Sequence, residues 1–249
     1  MTTRLSDLPE HAQFVRKLNN VAELPRSDAA ALLRLPVTTR EYHRHDDIVR
    51  EHDRPSHCTL VLSGFACRYK TVPDGKRQIM AFHIAGDMPD LQSLHLSTMD
   101  HSICALTRVR VATVAHEALR DLVYGNPTIC HVLWRDTLVD AAIHREWMMG
   151  IGRLSAHSRI AHLLCELLVK YRAAGLAEDH RFALPITQVD MADALGLTSV
   201  HVNRVLQDLR GEGLIELDRS EAKITDWDGL RRLAVFDPTY LHVRESLAA

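Results

Sequence analysis

The stretch from Ser199 to Gln207 carries side chains suited to recognition rather than bond-breaking. On a helical wheel Ser199, Val200, Asn203, Arg204 and Gln207 share one face, and four of the five can donate hydrogen bonds to phosphates or base edges. Val202, Val205, Leu206 and Leu209 fall at i, i+3, i+4 and i+7 on the opposite face, giving an apolar stripe to bury. A DNA major groove about 12 Å wide admits one helix bearing such a row. The competing reading is a plain helical hairpin with a solvated face.

The surrounding elements favour the first reading. Thr187 with Asp190 forms a capping-box pattern that starts a helix running to about Leu195, where Gly196 breaks it. Thr198 can cap the next helix, and Gly213 ends it. Leu214–Leu217 and Ala222–Thr225 alternate around Asp218–Glu221, predicting a β-hairpin. Helix, turn, helix and hairpin make a winged helix-turn-helix.

These residues resemble the DNA-binding end of the Crp/Fnr transcription regulators. The shared features are Leu184, Gly196 with Thr198, Val202 with Arg204, and Gly213-Leu214-Ile215. The resemblance implies that Thr187, Gln188, Thr198, Ser199, His201 and Arg204 approach DNA, with Arg204 reading a guanine. Many members carry a glutamate that accepts from cytosine where this chain has Val200. A valine there can touch a thymine methyl but cannot accept a hydrogen bond, so the operator is expected to differ at that base pair.

The whole chain has 249 residues, 46% of them hydrophobic, enough for two domains with a sizeable core. A net charge of -2 with 16 histidines means that a nucleic-acid footprint must be a local patch. No apolar run reaches the roughly 20 residues of a membrane span, and the N-terminus has no signal-peptide core, so a cytoplasmic protein is expected. Cys58, Cys67, Cys104, Cys130 and Cys165 include no C-x-x-C pair, which argues for buried thiols acting as small apolar groups. Oxygen-sensing relatives hold an iron-sulfur cluster through clustered N-terminal cysteines; none precedes Cys58 here, and that cofactor is not expected.

Before residue 37 the chain reads as helical, with Ser27 capping Asp28–Leu35. Short apolar or alternating runs then recur at Thr59–Leu62, Phe65–Thr71, Gln78–Ile84, Ile103–Leu106 and Val109–Val114, separated by turn residues, and predict an antiparallel sandwich or barrel. This half also resembles the Crp/Fnr sensor, a cyclic-nucleotide-binding-type jelly roll, through Leu62-Ser63-Gly64, Asp74-Gly75 and Phe82 leading to Gly86-Asp87. Gly86 and Asp87 are turn residues and the candidate effector-binding pair. The run that cradles a cyclic phosphate in nucleotide-binding members is Met88–Ser97 here and holds no arginine. Without that charge-assisted partner, cyclic AMP is not expected to bind.

His43, His45, His52 and His57 form a histidine-rich patch, with His43 and His45 expected to alternate onto one side of a strand. Solvated histidines are one reading; a metal or haem ligand is another. The patch supports a rival, a cupin-like metal-dependent enzyme, but Glu51 comes late and Gln78 stands where the second cupin motif has histidine. No metal ligand set is assigned.

Asn126-Pro127 starts a long helix to Leu154, on which Val132, Val139, Ile143, Trp147, Ile151 and Leu154 mark one face. That stripe packs on its own sensor or, as the resemblance implies, forms a parallel homodimer, whose two-fold axis would require a pseudo-palindromic double-stranded DNA site. Ala156–Ala174 reads as the first reader helix, closed by Gly175, on which His157, Arg159 and His162 either face DNA or are solvated. Asp228–Ala234 reads as a final helix and the remaining tail as peripheral. The expected fold is therefore α+β: an N-terminal antiparallel β jelly-roll sensor over residues 1–125, a dimerisation helix over 126–154, and a C-terminal winged helix-turn-helix over 155–249. The expected function is sequence-specific transcription regulation of the Crp/Fnr type, answering a signal other than cyclic AMP, without enzymatic activity, and with RNA polymerase as a candidate partner.

Overall fold

The computed structural model describes residues 3–8, 11–244 and 247. Its elements in order are β1 (Thr3–Arg4), α1 (His11–Val21), α2 (Arg26–Leu33), β2 (Pro36–Tyr42), β3 (Asp47–Val49), β4 (His57–Ser63), β5 (Ala66–Thr71), β6 (Arg77–His83), β7 (Ser102–Ala105), β8 (Val109–Ala115), α3 (His116–Gly125) and α4 (Pro127–Arg153). Then follow α5 (Ala156–Ala174), β9 (Arg181–Ala183), α6 (Gln188–Leu195), α7 (Ser199–Gly211), β10 (Ile215–Asp218), β11 (Glu221–Ile224) and α8 (Trp227–Ala234). By their contacts the residues group into two compact units, 1–70 with 81–140, and 71–80 with 141–249.

The first eight strands form two four-stranded sheets, ordered β1-β2-β8-β4 and β3-β7-β5-β6. β8 pairs antiparallel with both β2 and β4, and β7 with both β3 and β5. Alternation drives this: Val109, Val111, Ile103, Ala105 and Ala66 turn inward to meet Val49 and Val61. A second cluster joins Leu60, Leu62, Ala112 and Val114 to Phe14 and Leu18 of α1, Leu119 of α3, and Ile129, Val132 and Leu133 of α4.

Several expectations change. Ser27 does not cap α2: Pro25 occupies the cap, and Ser27 lies within the helix, its hydroxyl on Asp28 at 3.2 Å. A proline, already extended and with no N–H to lose, sets the helix start two residues earlier. His43 and His45 do not alternate along a strand, because β2 stops at Tyr42 and the chain turns, with His45 at φ +74°. His52 also has positive φ, +73°, and its N–H donates to Met99 O at 2.7 Å. Four cysteines are buried as expected, but Cys130 is exposed on α4.

The helix after Asn126 forms as read, its start capped by Asn126 Oδ1 accepting from Ile129 N at 3.0 Å. The face read as packing on its own sensor or as meeting a second copy turns inward. Val132, Val139, Ile143 and Trp147 are buried within the chain itself, and only Ile151 of that row is well exposed. The large apolar side chains left outside are Trp134, Leu138 and Met148, with Met149 beside them. Together with Ala141, Arg145 and Gly152 they repeat at alternating four- and three-residue steps.

The second unit is built on α5, whose Ile160, Leu163, Leu164, Leu167 and Leu168 are buried. The tail, expected to be peripheral, is structural over residues 236–241, and its last residues lie largely outside the described ones. Phe236 and Leu241 are buried, and Tyr240 Oη donates to the buried Glu166 at 2.7 Å, which also accepts from Trp147 Nε1 at 3.0 Å. A buried carboxylate needs such donors, and the tail supplies one. His162 is drawn into this cluster: it is buried, stacked on Tyr240, and 3.0 Å from its hydroxyl, so it faces neither DNA nor solvent.

Candidate nucleic-acid interface

The helix-turn-helix is specified locally at every joint. Thr187 Oγ1 accepts from Asp190 N at 3.1 Å while Asp190 Oδ2 accepts from Thr187 N at 2.9 Å, closing the capping box of α6. Gly196 takes the left-handed conformation, φ +63°, that lets the chain reverse after one helix. Thr198 then caps α7 by accepting from His201 N at 3.2 Å. At the far end Gly213 has φ +71°, and Leu214 N reaches back to Leu209 O at 3.0 Å. That return contact aims β10 and β11, which pair from Ile215↔Ile224 to Asp218↔Glu221.

A third wing strand, β9, pairs with β11 and was not anticipated. At three residues, Arg-Phe-Ala, it is too short to show alternation, and only Phe182 turns inward.

The recognition row stands as the spacing requires. Val202, Val205, Leu206 and Leu209 are buried, while Asn203, Arg204 and Gln207 are exposed, Ser199 and His201 are half-buried, and Val200 is 79% exposed. Thr187, Gln188 and Thr198 are also exposed. Gln188 Nε2 and Gln207 Nε2 both donate to Asn203 Oδ1, at 3.3 and 3.4 Å, so α6 and α7 share one polar surface. Of the two other α5 candidates, Arg159 Nη1 donates to Leu195 O at 2.7 Å, bracing the end of α6. His157 Nε2 lies 2.9 Å from Asp208 Oδ2.

In the first unit the candidate effector pair is occupied by internal contacts. Gly86, at φ +97°, packs so closely on α1 that a Cβ would lie 3.0 Å from Gln13 O. Asp87 is buried, 3.1 Å from Lys17 Nζ, and accepts from Ile84 N at 3.1 Å. Lys17 also meets Asp136 of α4 at 2.9 Å, while Arg68 Nη1 donates to Asp140 at 2.7 Å and Nη2 to Pro89 O at 2.6 Å. The two aspartates paired by these cations hold α4 to the sheet domain. The run Met88–Ser97 folds into the core: Met88, Asp90, Leu91, Ser93 and Leu94 are buried, and Asp90 Oδ1 accepts from Thr59 N at 2.7 Å. The run itself carries no arginine and places the Asp90 carboxyl at its centre, while Arg68 Nη2 and Arg120 Nη2 donate to its backbone at Pro89 O, 2.6 Å, and Leu94 O, 2.9 Å.

The histidine patch does not assemble a ligand set. Glu51 is paired with Lys70 at 2.8 Å, and no cluster of three or more His, Cys, Asp or Glu able to hold a metal occurs among the described residues. None of their helices is long and apolar enough to cross a membrane.

A β-roll domain followed by a long helix and a winged helix-turn-helix with an outward polar row defines a DNA-binding regulator with a sensor-type domain. Residues 158–233 match the model of the Crp-like helix-turn-helix domain and residues 39–126 that of the cyclic nucleotide-binding domain. The chain is 27% identical over 192 residues to the transcriptional activator protein FnrL of Cereibacter sphaeroides, covering 76% of this chain and 77% of that one. It is 28% identical over 200 residues to the nitrogen fixation regulation protein FixK of Azorhizobium caulinodans, covering 79% of each. The structure of FixK2 from Bradyrhizobium japonicum superposes with a TM-score of 0.72 at 27% identity, over 79% of this chain and 96% of that one. The chain belongs to the Crp/Fnr family of transcription regulators. These matches lend no support to the cupin-like enzyme.

Proposed function

We propose that this protein acts in the cytoplasm as a homodimer that reads a pseudo-palindromic operator through α7, without enzymatic activity and without cyclic AMP or an iron-sulfur cluster as cofactor. The observation that carries the reading is the outward row of half-buried Ser199 and exposed Val200, Asn203, Arg204 and Gln207 standing on a buried stripe, with Thr187, Gln188, Thr198 and His201 beside it as further DNA contacts. Arg204 presents a guanidinium fork to a guanine edge, and Val200 presents only methyl groups, which suit a thymine. The exposed stripe Trp134, Leu138 and Met148 on α4 supports dimerisation, because a helix face this apolar is rarely left in water. Two-fold symmetry then sets the half-sites about one helical turn apart.

The absence of arginine from Met88–Ser97 and the buried Asp90 support a signal other than cyclic AMP. Gly86 and Asp87 act in this reading as part of the contact between α1 and the sheet domain that the signal would alter. FnrL is named a transcriptional activator, and RNA polymerase is the partner proposed by extension.

Selection of bound duplexes from a random pool tests the proposal. The expected product is a two-fold repeat with a thymine at the pair facing Val200, and Arg204→Ala should weaken binding to it by about 1–3 kcal/mol while relaxing one position. A pool that returns no enriched sequence would end the reading.

A further inference from the structure

The helix that braces α7 is itself gripped by a residue more than a hundred positions away in sequence. Arg77 opens β6, in the segment Thr71–Met80 that groups with the second unit. Its Nε donates to Asp193 Oδ2 at 2.9 Å and its Nη2 to Asp190 Oδ1 at 2.7 Å, and Nη2 lies 2.8 Å from Asp193 Oδ2. The adjacent Gln78 Nε2 donates to Ala194 O at 3.1 Å, capping a last-turn carbonyl. All three targets lie on α6.

Asp190 makes this grip consequential. One of its oxygens closes the capping box with Thr187, and the other takes Arg77, while its side chain is only 3% exposed. A planar fork across two carboxylates at i and i+3 sets both the rotation and the height of a helix, which a single flexible ammonium would not. α6 has eight residues, too few to hold an orientation alone. Its first turn bears Thr187 and Gln188, and Gln188 in turn touches Asn203 of α7.

We infer that Arg77 is a positioning residue for DNA reading: it fixes α6, and through Thr187 and Gln188 the placement of α7, without touching DNA. The inference rests on the proposed operator binding. It is tested by measuring the affinity of Arg77→Ala, Arg77→Lys and Asp193→Asn for the operator selected by the parent protein and for an unrelated duplex, together with melting temperature and hydrogen exchange of the α6 amides. The expected result for Arg77→Ala is a loss of operator affinity of at least about tenfold, with little change for the unrelated duplex and faster exchange in α6 but not in α5. Arg77→Lys, which keeps the charge and loses the fork, should fall between, and decides the matter if Arg77→Ala does not fold. Unchanged operator affinity in Arg77→Lys and Asp193→Asn overturns the inference, as does an equal loss on both duplexes with a lowered melting temperature. A parent protein that binds no duplex sinks the proposed function as well, whereas these outcomes sink only the role of Arg77.

Discussion

Asp90 is fully buried between β4 and the turn Leu91–Leu94, and burial pushes its carboxyl up to about 6 despite the N–H of Thr59. The folded protein therefore holds this proton more tightly than the unfolded chain, whose carboxyl titrates at 3.8. Its contribution to stability falls as pH rises from about 4 to 6 and stays low above that, a cost on the order of 2–3 kcal/mol. Asp90→Asn keeps an acceptor for Thr59 and cannot ionise. Thermal melts should show the variant more stable than the parent at pH 8, with the difference shrinking toward pH 4; a constant difference across that range would show that ionisation is not the cause. Nothing in the sequence marks Asp90 as buried, since an aspartate after Met-Pro reads equally well as a turn residue. Arg204 differs: its place opposite Val202 and Val205 follows from helical period alone.

At the scale of elements, α4 bears two apolar stripes, and periodicity cannot say which one its own domain takes. The sheet domain takes Ile129, Val132 and Leu133, while Lys17 and Arg68 pair with Asp136 and Asp140. What is left outside is the row through Trp134, Leu138, Ala141, Arg145, Met148 and Gly152, with a cation at its centre. If that row is the dimer seam, Leu138→Asp should yield monomers at concentrations where the parent is dimeric. Arg145→Leu should tighten the dimer, because two guanidinium groups would otherwise meet at the axis without a carboxylate between them. Sedimentation of both variants checks this; dimers that survive Leu138→Asp would place the contact elsewhere. The α6–α7 pair was legible in detail, since capping boxes and glycine breaks act within four residues. The three-residue β9 was not, because its pairing partner lies some forty residues on.

For the molecule as a whole, a net charge of -2 leaves little general attraction to DNA. The reading end itself is mixed: Arg204, Arg210 and Arg219 are exposed, but so are Asp208, Glu212, Glu216 and Asp218. Specificity should then rest on the Arg204 and amide row more than on phosphate neutralisation. A dimer with two or three cations per subunit predicts a log–log salt slope of only about −4 to −5 for operator binding. Fluorescence anisotropy across a salt series measures it, and a slope near −10 would mean that cations outside this face reach the backbone.

The sequence by itself determined what depends on neighbours a few residues apart: the capped helices, the left-handed glycine turns, the inward stripe of α7 and its outward polar row. It also excluded an arginine from Met88–Ser97, a matter of composition. Tertiary structure alone decided which face of α4 stays outside, that Asp87 pairs with Lys17, that His162 and Tyr240 close over Glu166, and that Arg77 reaches α6. Each of these depends on where a distant segment comes to rest, and a buried charge or an unburied stripe acquires its meaning only from what packs against it.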